Sequence, residues 1–259
     1  ADGSSLSFSV SGSELAITSA GVLTFATAPD YETKASYAAT VTVNDGANTT
    51  SQDITVNVAD INDAPVFTSN ETFSADENQT AIGSATGSDQ DGNSLSFTVS
   101  GSELAITTAG VLTFASAPDY ETKSSYTATV SVSDSIVTTT QNITVNVSDV
   151  NDAPVATAAS YGLNLLPQSQ TSASTTLAGT DQDGDTLTYA IASNGSYGTA
   201  SISGSTFSYQ TSADTQSAQS DSFTFTANDG TVDSSAATIS IDLRTDPLYQ
   251  YQWHLNNTG

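Results

Sequence analysis

Hydrophobic and polar residues alternate along much of this chain. The pattern begins at Leu6, Phe8 and Val10 and returns at residues 37–43 and 54–58, with polar residues between the apolar ones. A period of two places apolar side chains on one face of an extended segment and polar side chains on the other. These segments are therefore predicted to be half-buried β-strands, although Ser, Thr, Asn and Gly dominate the composition.

A long internal repeat covers the first two thirds of the chain. Residues 6–34 recur as residues 95–123 with three substitutions, Ser9/Thr98, Ser19/Thr108 and Thr27/Ser116, at an offset of 89 residues. A unit of this size with many short strands fits an immunoglobulin-like sandwich of about 100 residues. It is too long for a solenoid repeat and lacks the helical segments of βαβ units. The predicted fold class is all-β, with tandem Greek-key immunoglobulin-like β-sandwiches in an elongated array.

The offset also predicts the domain boundaries. Residues 1–64 form a repeat that lacks the counterpart of about residues 66–89, so we expect an N-terminally truncated domain with an unpaired sheet edge. Residues 65–153 form a complete repeat. Residues 154–244 form a divergent third domain. Its strands are predicted from alternations such as Phe207 with Tyr209 and Phe223 with Phe225, and the polar stretch 210–221 is predicted to be a long loop. Residues 245–259 are a linker or the start of another domain. The sequence has no initial Met and no signal segment, which favours an internal fragment of a longer protein.

A polar hexapeptide separates these predicted domains. Asp60-Ile61-Asn62-Asp63-Ala64-Pro65 recurs as Asp149-Val150-Asn151-Asp152-Ala153-Pro154. Each copy gathers carboxylate and amide oxygens next to a proline, which cannot continue a strand ladder. Such a connector suits a hard cation held between two folded units.

Charge supports a cation and excludes other partners. The chain has 28 Asp and Glu residues against 3 Lys and Arg residues, a formal charge of −25. This surface repels nucleic acid and anionic lipid, and Ca²⁺ would neutralise it. No apolar run reaches the roughly 18 residues of a spanning helix, so direct membrane insertion is not expected. The chain has no Cys, which excludes disulfides and Cys-based zinc sites.

Several motifs together resemble the cadherin family. The connectors resemble its Asp-x-Asn-Asp-Asn-x-Pro linker, shortened by one residue and with alanine in place of the second asparagine. Asp-Gln-Asp at 89–91 and 181–183 resembles its Asp-x-Asp motif, Glu77 its early glutamate, and Asp-Tyr-Glu at 30–32 and 119–121 its Asp-x-Glu motif. Asp134 and Asp229 fall where a further family aspartate lies. The third domain is closer to the bacterial cadherin-like tandem repeats of large secreted proteins.

This resemblance and the oxygen chemistry of Ca²⁺ predict two junction sites. Ca²⁺ takes 6–8 oxygens, more than one domain supplies here, and the resemblance implies about three ions per junction. The first predicted ligand set is Asp30, Glu32, Asp60, Asn62, Asp63, Asp89, Asp91 and Asp134. The second is Glu77, Asp119, Glu121, Asp149, Asn151, Asp152, Asp181, Asp183 and Asp229. Because the early glutamate of the first junction would precede residue 1, we expect that junction to bind one ion more weakly.

Other interpretations of the same residues stay open. Asp-Gln-Asp-Gly also fits an ordinary hairpin turn without a metal. An EF-hand is excluded, because Gly92 and Gly184 occupy the fourth loop position and the twelfth position lacks a glutamate. Tyr31 and Tyr120 could stack on sugars or cover the end of a sheet.

Catalysis has little support in this sequence. His254 is the single histidine, and no nucleophile and base pair can be assembled. The tail from Asp246 to Gly259 resembles the opening segment of subtilisin/kexin-like serine protease domains, whose catalytic triad lies downstream. Alternatively, Leu248, Tyr251 and Trp253 form an amphipathic tail that packs on the third domain.

The predicted function is a calcium-stiffened structural and adhesion module of an extracellular or cell-surface bacterial protein. Without cations the connectors would act as hinges, and with Ca²⁺ the array would become a rod, which small-angle scattering with and without chelator would test. Partners would be Ca²⁺, homotypic contacts or extracellular polysaccharide. The alternatives are a carbohydrate-binding module, with exposed aromatics on the third domain, and an accessory region that tethers a downstream protease.

Overall fold

The computed structural model describes residues 5–165, 172–211 and 219–245. This part of the chain contains 23 β-strands and no helix, which confirms the predicted all-β class. Residues 212–218 of the predicted loop and the whole tail from residue 246 lie outside the described residues. Within them, no helix is long and apolar enough to cross a membrane. The chain divides into two compact units, Ala1–Asp119 with Lys123–Ser148, and Tyr120–Thr122 with Asp149–Gly259.

The first repeat opens unit 1 with five strands, β1 (Ser7–Val10), β2 (Leu15–Ile17), β3 (Leu23–Phe25), β4 (Ser36–Asn44) and β5 (Thr49–Asn57). They form an antiparallel three-stranded sheet in the order β1-β4-β5 and the separate hairpin β2-β3. Strands β4 and β5 are joined by a tight turn, in which the Asp45 carboxylate accepts the N–H groups of Ala47 and Asn48. Strand β5 is the edge of its sheet.

The second repeat adds nine strands to unit 1. They are β6 (Val66–Phe67), β7 (Thr72–Asp76), β8 (Ala81–Ser84), β9 (Gly87–Ser88), β10 (Ser96–Val99), β11 (Leu104–Ile106), β12 (Val111–Phe114), β13 (Ser125–Ser133) and β14 (Thr138–Ser148). One sheet has the order β10-β13-β14-β7, the facing sheet β11-β12-β8, and β6 pairs with β9. Strand β7 runs parallel to β14, and β8 joins the other sheet, as expected for an immunoglobulin-like sandwich.

The two repeats differ in how well their cores are covered. In the second repeat Leu112, Val130 and Val132 are completely buried, packed among apolar residues of both sheets. Their counterparts in the first repeat, including Leu23 and Val41, are only partly buried. Within the described residues, no strand of the first repeat occupies the places of β7 and β8, so β5 has a single neighbour, β4.

Unit 2 contains the third sandwich. Its strands are β15 (Val155–Ala156), β16 (Ala159–Leu165), β17 (Ser172–Thr176), β18 (Gly179–Thr180), β19 (Thr188–Ser193), β20 (Gly198–Ser203), β21 (Thr206–Thr211), β22 (Gln219–Asn228) and β23 (Ala237–Thr245). The sheets have the orders β16-β23-β22-β19 and β17-β21-β20, with a small pair β15-β18. The alternating Phe207 and Tyr209, Phe223 and Phe225 point into one apolar core, as the pattern predicts.

Candidate metal centre

The first connector in unit 1 is held against the loop that follows β9. The backbone N–H of Asp63 donates to Asp91 Oδ2 at 2.7 Å. The Asn62 side chain donates from Nδ2 to Asp134 Oδ2 at 2.8 Å. Pro65 is buried and β6 begins at the next residue, so the connector ends where the second sandwich starts. The connector therefore lies among side chains from two other loops of the same unit.

The Asp-Gln-Asp-Gly loop is a turn, as one interpretation of the sequence predicts. Gly92 adopts a φ of 75° and donates its N–H to the Asp89 carbonyl at 3.3 Å. Asp89 Oδ1 accepts the N–H of Asn93 at 3.1 Å. The turn still leaves Asp89 Oδ2 and Asp91 Oδ1 shielded from solvent and without a hydrogen-bond donor. Turn geometry therefore uses only part of the oxygen capacity of these two carboxylates.

A second acidic turn of the first repeat supplies a third carboxylate. Glu32, Asp63 and Asp91 each place an oxygen within 4.8 Å of the other two. The backbone N–H of Glu32 lowers the pKa of its side chain. The pKa of Glu32 is nevertheless raised, because three other causes outweigh that effect. They are desolvation, the hydrogen bond shared with Asp91, and the charges of Asp91 and Asp60. The acidic side chains here are crowded enough to repel one another.

Asp30 stabilises the turn that carries Glu32. Its Oδ1 accepts the N–H of Thr33 at 3.2 Å, and its Oδ2 accepts the Thr33 hydroxyl at 3.0 Å. The N–H and then the hydroxyl of Thr33 lower the pKa of Asp30. Gln90 donates from Nε2 to the same Oδ2 at 3.0 Å. Asp30 thus links this turn to the Asp-Gln-Asp loop.

Asp134 fixes the connector by binding the side-chain amide of Asn62. Its Oδ1 accepts the backbone N–H groups of Ile136 at 2.7 Å and Val137 at 2.6 Å, in the hairpin between β13 and β14. Its Oδ2 accepts the Asn62 amide described above. The Val137 N–H and then the Asn62 amide hold the pKa of Asp134 below its usual range. Asp134 is therefore ionised and keeps Asn62 in place.

Unit 2 repeats this arrangement with its own residues. The N–H of Asp152 donates to Asp183 Oδ2 at 2.8 Å, and Asn151 Nδ2 donates to Asp229 Oδ2 at 2.9 Å. Asp229 Oδ1 accepts two N–H groups of its own hairpin at 2.6 and 2.7 Å. The Asn151 amide and then the Val232 N–H lower the pKa of Asp229. Two separate sequences therefore reach the same geometry.

The loop after β18 in unit 2 also carries an additional carboxylate. Asp181, Asp183 and Asp185 place oxygens within 4.8 Å of one another. Asp181 Oδ2 and Asp183 Oδ1 are shielded from solvent and accept no hydrogen bond. The equivalent atoms of unit 1, Asp89 Oδ2 and Asp91 Oδ1, have the same property. Asp185 stands where the other loop has Asn93, and its N–H donates to Asp181 Oδ1 at 3.1 Å. This cluster is formed by a single loop.

The other predicted ligands of the second junction are divided between the units. Glu77 and Asp119 belong to unit 1, whereas Glu121 and Asp149 belong to unit 2. Glu77 is buried, with 3% of its surface exposed, and its N–H donates to the Ser148 carbonyl at 3.1 Å. Asn78 follows with a φ of 60° and donates its N–H to the Pro118 carbonyl. This irregular backbone terminates β7 and holds Glu77 at the end of the sheet.

The donor set fits a hard cation. Four carboxylate oxygens in the described residues are shielded without any donor, and they belong to Asp89, Asp91, Asp181 and Asp183. Leaving a charged oxygen buried and unpaired is costly, and each of these lies beside further carboxylates. Ca²⁺ binds such flexible clusters of carboxylate and carbonyl oxygens, whereas Mg²⁺ requires a compact octahedron.

Three contributing residues were absent from the predicted set. Gln90 connects Asp30 to the loop, Asn93 donates weakly from Nδ2 to Asn62 Oδ1 at 3.4 Å, and Asp185 extends the cluster in unit 2. The period-two spacing of Asp181, Asp183 and Asp185 could have identified the last of these. The roles of Gln90 and Asn93 depend on contacts across 60 and 31 residues, which no local pattern reports.

The buried aromatic residues of the third sandwich give the carbohydrate alternative no support. Phe207, Tyr209, Phe223 and Phe225 of the third sandwich are at most 2% exposed. The rings of Phe207 and Tyr209 pack edge to face on Phe223 within the core. An aromatic platform for polysaccharide is therefore not formed by these side chains. Tyr31 and Tyr120 are 38% and 36% exposed, so neither is fully packed.

Comparison with known proteins agrees with this architecture. Residues 62–146 match the family model described as a bacterial Ig domain, and residues 151–245 match the bacterial cadherin-like domain. No curated protein matches the sequence. These two segments of the chain are therefore similar to bacterial immunoglobulin-like and cadherin-like domains.

Solved structures with a similar fold are arrays of cadherin domains. Mouse protocadherin-24 EC1-3 has a TM-score of 0.60 at 19% identity, over 93% of this chain and 91% of that one. Mouse cadherin-23 EC22-24 has a TM-score of 0.57 at 20% identity, over 93% and 87%. Domains 3-6 of protocadherin gamma B2 have a TM-score of 0.55 at 19% identity, over 93% and 68%. At these identities the likeness shows the fold, which is that of cadherin repeats.

Proposed function

We propose that this chain is a calcium-dependent structural and adhesion module of a secreted or cell-surface protein of bacterial type. The observation that carries this proposal is the repeated pair of shielded, donor-free carboxylate oxygens, at Asp89 and Asp91 in unit 1 and at Asp181 and Asp183 in unit 2. Each pair lies beside a connector whose aspartate donates its N–H to the second aspartate of the loop. The bacterial cadherin-like and Ig domain matches support an extracellular location.

The proposed ligands in unit 1 are those carboxylates together with Glu32, Asp60 and Asp63. In unit 2 they are Asp152, Asp181, Asp183 and Asp185. Asp134 and Asp229 accept the Nδ2 donors of Asn62 and Asn151, so each amide oxygen remains an acceptor that a cation could coordinate. At Asn62 this oxygen also accepts the weak 3.4 Å bond from Asn93. Bound Ca²⁺ would supply positive charge and coordination for the donor-free oxygens.

The function of these contacts is to fix a connector to the domain that follows it. Without a cation, the crowded carboxylates around Glu32 and Asp91 repel one another, as the raised pKa of Glu32 indicates. Repulsion at that point opposes the 2.7 Å hydrogen bond between Asp63 and Asp91. Neutralising this repulsion would stabilise the hydrogen bond and hold the connector against the loop. The module itself is proposed to have no enzymatic role, and the three-domain division at residues 64 and 153 remains a prediction.

Calcium titration of the 259-residue chain by calorimetry tests this proposal. We expect saturable heat for the wild type and at least about tenfold weaker binding at the altered site in Asp91→Asn and in Asp183→Asn, because even outer contacts of metal sites change affinity about 10–100-fold. Asp53→Asn, on the exposed face of β5, is the matched control for lost charge. The absence of saturable heat at millimolar Ca²⁺, or an equal effect of Asp53→Asn, would contradict the proposal.

A further inference from the structure

Both lysines of the chain lie in the same environment. The sequence has 3 Lys and Arg residues in total, and Lys34 and Lys123 each follow an acidic turn by one position. Lys34 Nζ lies 2.6 Å from both Glu14 carboxylate oxygens, and Lys123 Nζ lies 2.5 Å from Glu103 Oε1. The two pairs are related by the internal repeat. Because both copies make this contact, it is a feature of the repeated sequence.

An aromatic ring completes each environment. Lys34 Nζ lies 4.6 Å from the ring centroid of Tyr37, and Lys123 Nζ lies 4.3 Å from that of Tyr126. Tyr37 is itself fixed edge to face against Phe25, with centroids 5.1 Å apart. The ring face attracts a cation. Each ammonium is therefore held from two sides, by a carboxylate and by a ring.

The acidic turn does not require the lysine side chain for its own structure. In the first repeat Thr33 binds both oxygens of Asp30, and the Lys34 backbone N–H donates to the Asp30 carbonyl at 2.9 Å. The Lys123 N–H donates to the Asp119 carbonyl at 2.8 Å in the second repeat. None of these bonds involves a lysine ammonium. The hydrogen bonds of the turn are therefore independent of the ion pair with glutamate.

We propose that Glu14 and Glu103 sequester these ammonium groups away from two acidic turns, one that carries the proposed calcium ligand Glu32 and one that carries Glu121, a ligand predicted from the sequence. Lys34 is two residues from Glu32 and four from Asp30, and its flexible stem allows the ammonium to reach either of these exposed carboxylates. A lysine bound there would compete with a metal ion for the same oxygens. The glutamate and the tyrosine ring bind the ammonium on the other side instead. This inference rests on the proposed calcium function.

The two possible roles of the lysine predict opposite results. If Lys34 positioned the turn, removing it would weaken calcium binding, with or without Glu14. If Glu14 sequesters it, removing Glu14 weakens calcium binding only while the lysine is present. Lysine removal alone then leaves the affinity unchanged or increases it, because a competing cation is lost. The combined change therefore distinguishes the two roles.

The experiment is calorimetric calcium titration of the full chain with both copies altered together. Glu14→Gln with Glu103→Gln should weaken calcium binding about two- to fivefold, the size expected from one exposed ion pair. Lys34→Met with Lys123→Met should not weaken it. The four changes together should restore at least the wild-type affinity. Glu71→Gln, an exposed carboxylate in the loop before β7, controls for the loss of negative charge.

Failure of this inference and failure of the proposed function give different results. A wild-type chain that binds no calcium contradicts the proposed function. A wild-type chain that binds calcium, with glutamate variants equal to Glu71→Gln or with lysine variants that bind more weakly, overturns the sequestration role. Thermal unfolding of every variant in chelator checks that the exposed substitutions leave the fold intact.

Discussion

At the scale of single residues, the number of hydrogen-bond donors distinguishes a structural carboxylate from one that suits a metal. Asp221 in unit 2 is 4% exposed, yet both of its oxygens are satisfied. Its Oδ1 accepts the Ser196 N–H at 2.7 Å, and its Oδ2 accepts the Tyr197 N–H at 3.0 Å and the Tyr209 hydroxyl at 3.2 Å. Asp91 has no donor for its Oδ1. The two aspartates therefore differ in their hydrogen-bond donors as well as in burial, since Asp91 is only half-buried.

The Tyr209–Asp221 pair predicts a loss of stability at alkaline pH. Burial, followed by the nearby charge of Asp221, raises the pKa of Tyr209 far above its usual range. Below about pH 10, tyrosine is neutral in both the folded and the unfolded chain, so the contribution of this pair is fully present. Above that pH the unfolded chain releases the proton and the folded chain retains it, so stability falls as the pH rises.

Urea unfolding of the third sandwich at pH 8 and pH 10.5 measures this slope. The free energy of unfolding should fall between the two pH values by up to about 1 kcal/mol more in the wild type than in Tyr209→Phe. Tyr197→Phe removes a hydroxyl from a ring that is 38% exposed and serves as the control. A slope that Tyr209→Phe leaves unchanged would show that another group titrates.

At the scale of elements, the two repeats show what β7 and β8 contribute. Residues 6–34 and 95–123 are nearly identical in sequence, yet Leu112 is completely buried and Leu23 is not. Strand β8 pairs with β12 and closes the sheet over Leu112. The corresponding hairpin β2-β3 has no third strand in the described residues. A leucine at the same position of the repeat therefore contributes a different amount to the free energy of unfolding in each copy.

Truncating these two leucines measures their contributions to stability. Leu112→Ala should destabilise the second repeat by about 3–5 kcal/mol, because it leaves a cavity in a closed core. Leu23→Ala should cost about half of that or less in the first repeat, since solvent already reaches the site. Native-state hydrogen exchange in the amides of β10–β14 and of β1–β5 reports the two costs separately. Equal costs would contradict the difference in core coverage.

Local pattern predicts these elements better than it predicts their partners. The alternation at Phe223 and Phe225 identified both a strand and its buried face, because side-chain direction in a strand depends only on parity. The parallel pairing of β7 with β14 joins Thr72 to Thr144 and has no local signature. The prediction of the aspartates rests on repeated acidic motifs and their resemblance to the cadherin family. The Asn62–Asp134 bond joins residues 72 positions apart, so it required the fold.

At the scale of the whole molecule, we expect charge and the proposed cation binding to determine stability together. The formal charge of −25 opposes compaction by self-repulsion. Simple salt reduces this repulsion, because the Debye length is about 10 Å at 0.1 M. Screening does not coordinate the donor-free oxygens of Asp89, Asp91, Asp181 and Asp183, which the proposed calcium ions would contact directly. General screening and specific binding can therefore be separated.

Thermal unfolding in three media at equal ionic strength makes that separation. CaCl₂ should raise the midpoint more than NaCl or MgCl₂, since a ligand at 100 times its Kd adds about 2.7 kcal/mol per site. A variant with all four aspartates changed to asparagine should lose this difference. In chelator it should unfold at the wild-type temperature or above, because four repelling charges are gone. In calcium it should unfold below the wild type. This reversal of order cannot arise from screening, because screening would rank the two proteins alike in every medium. Equal unfolding midpoints in NaCl and CaCl₂ would contradict specific binding.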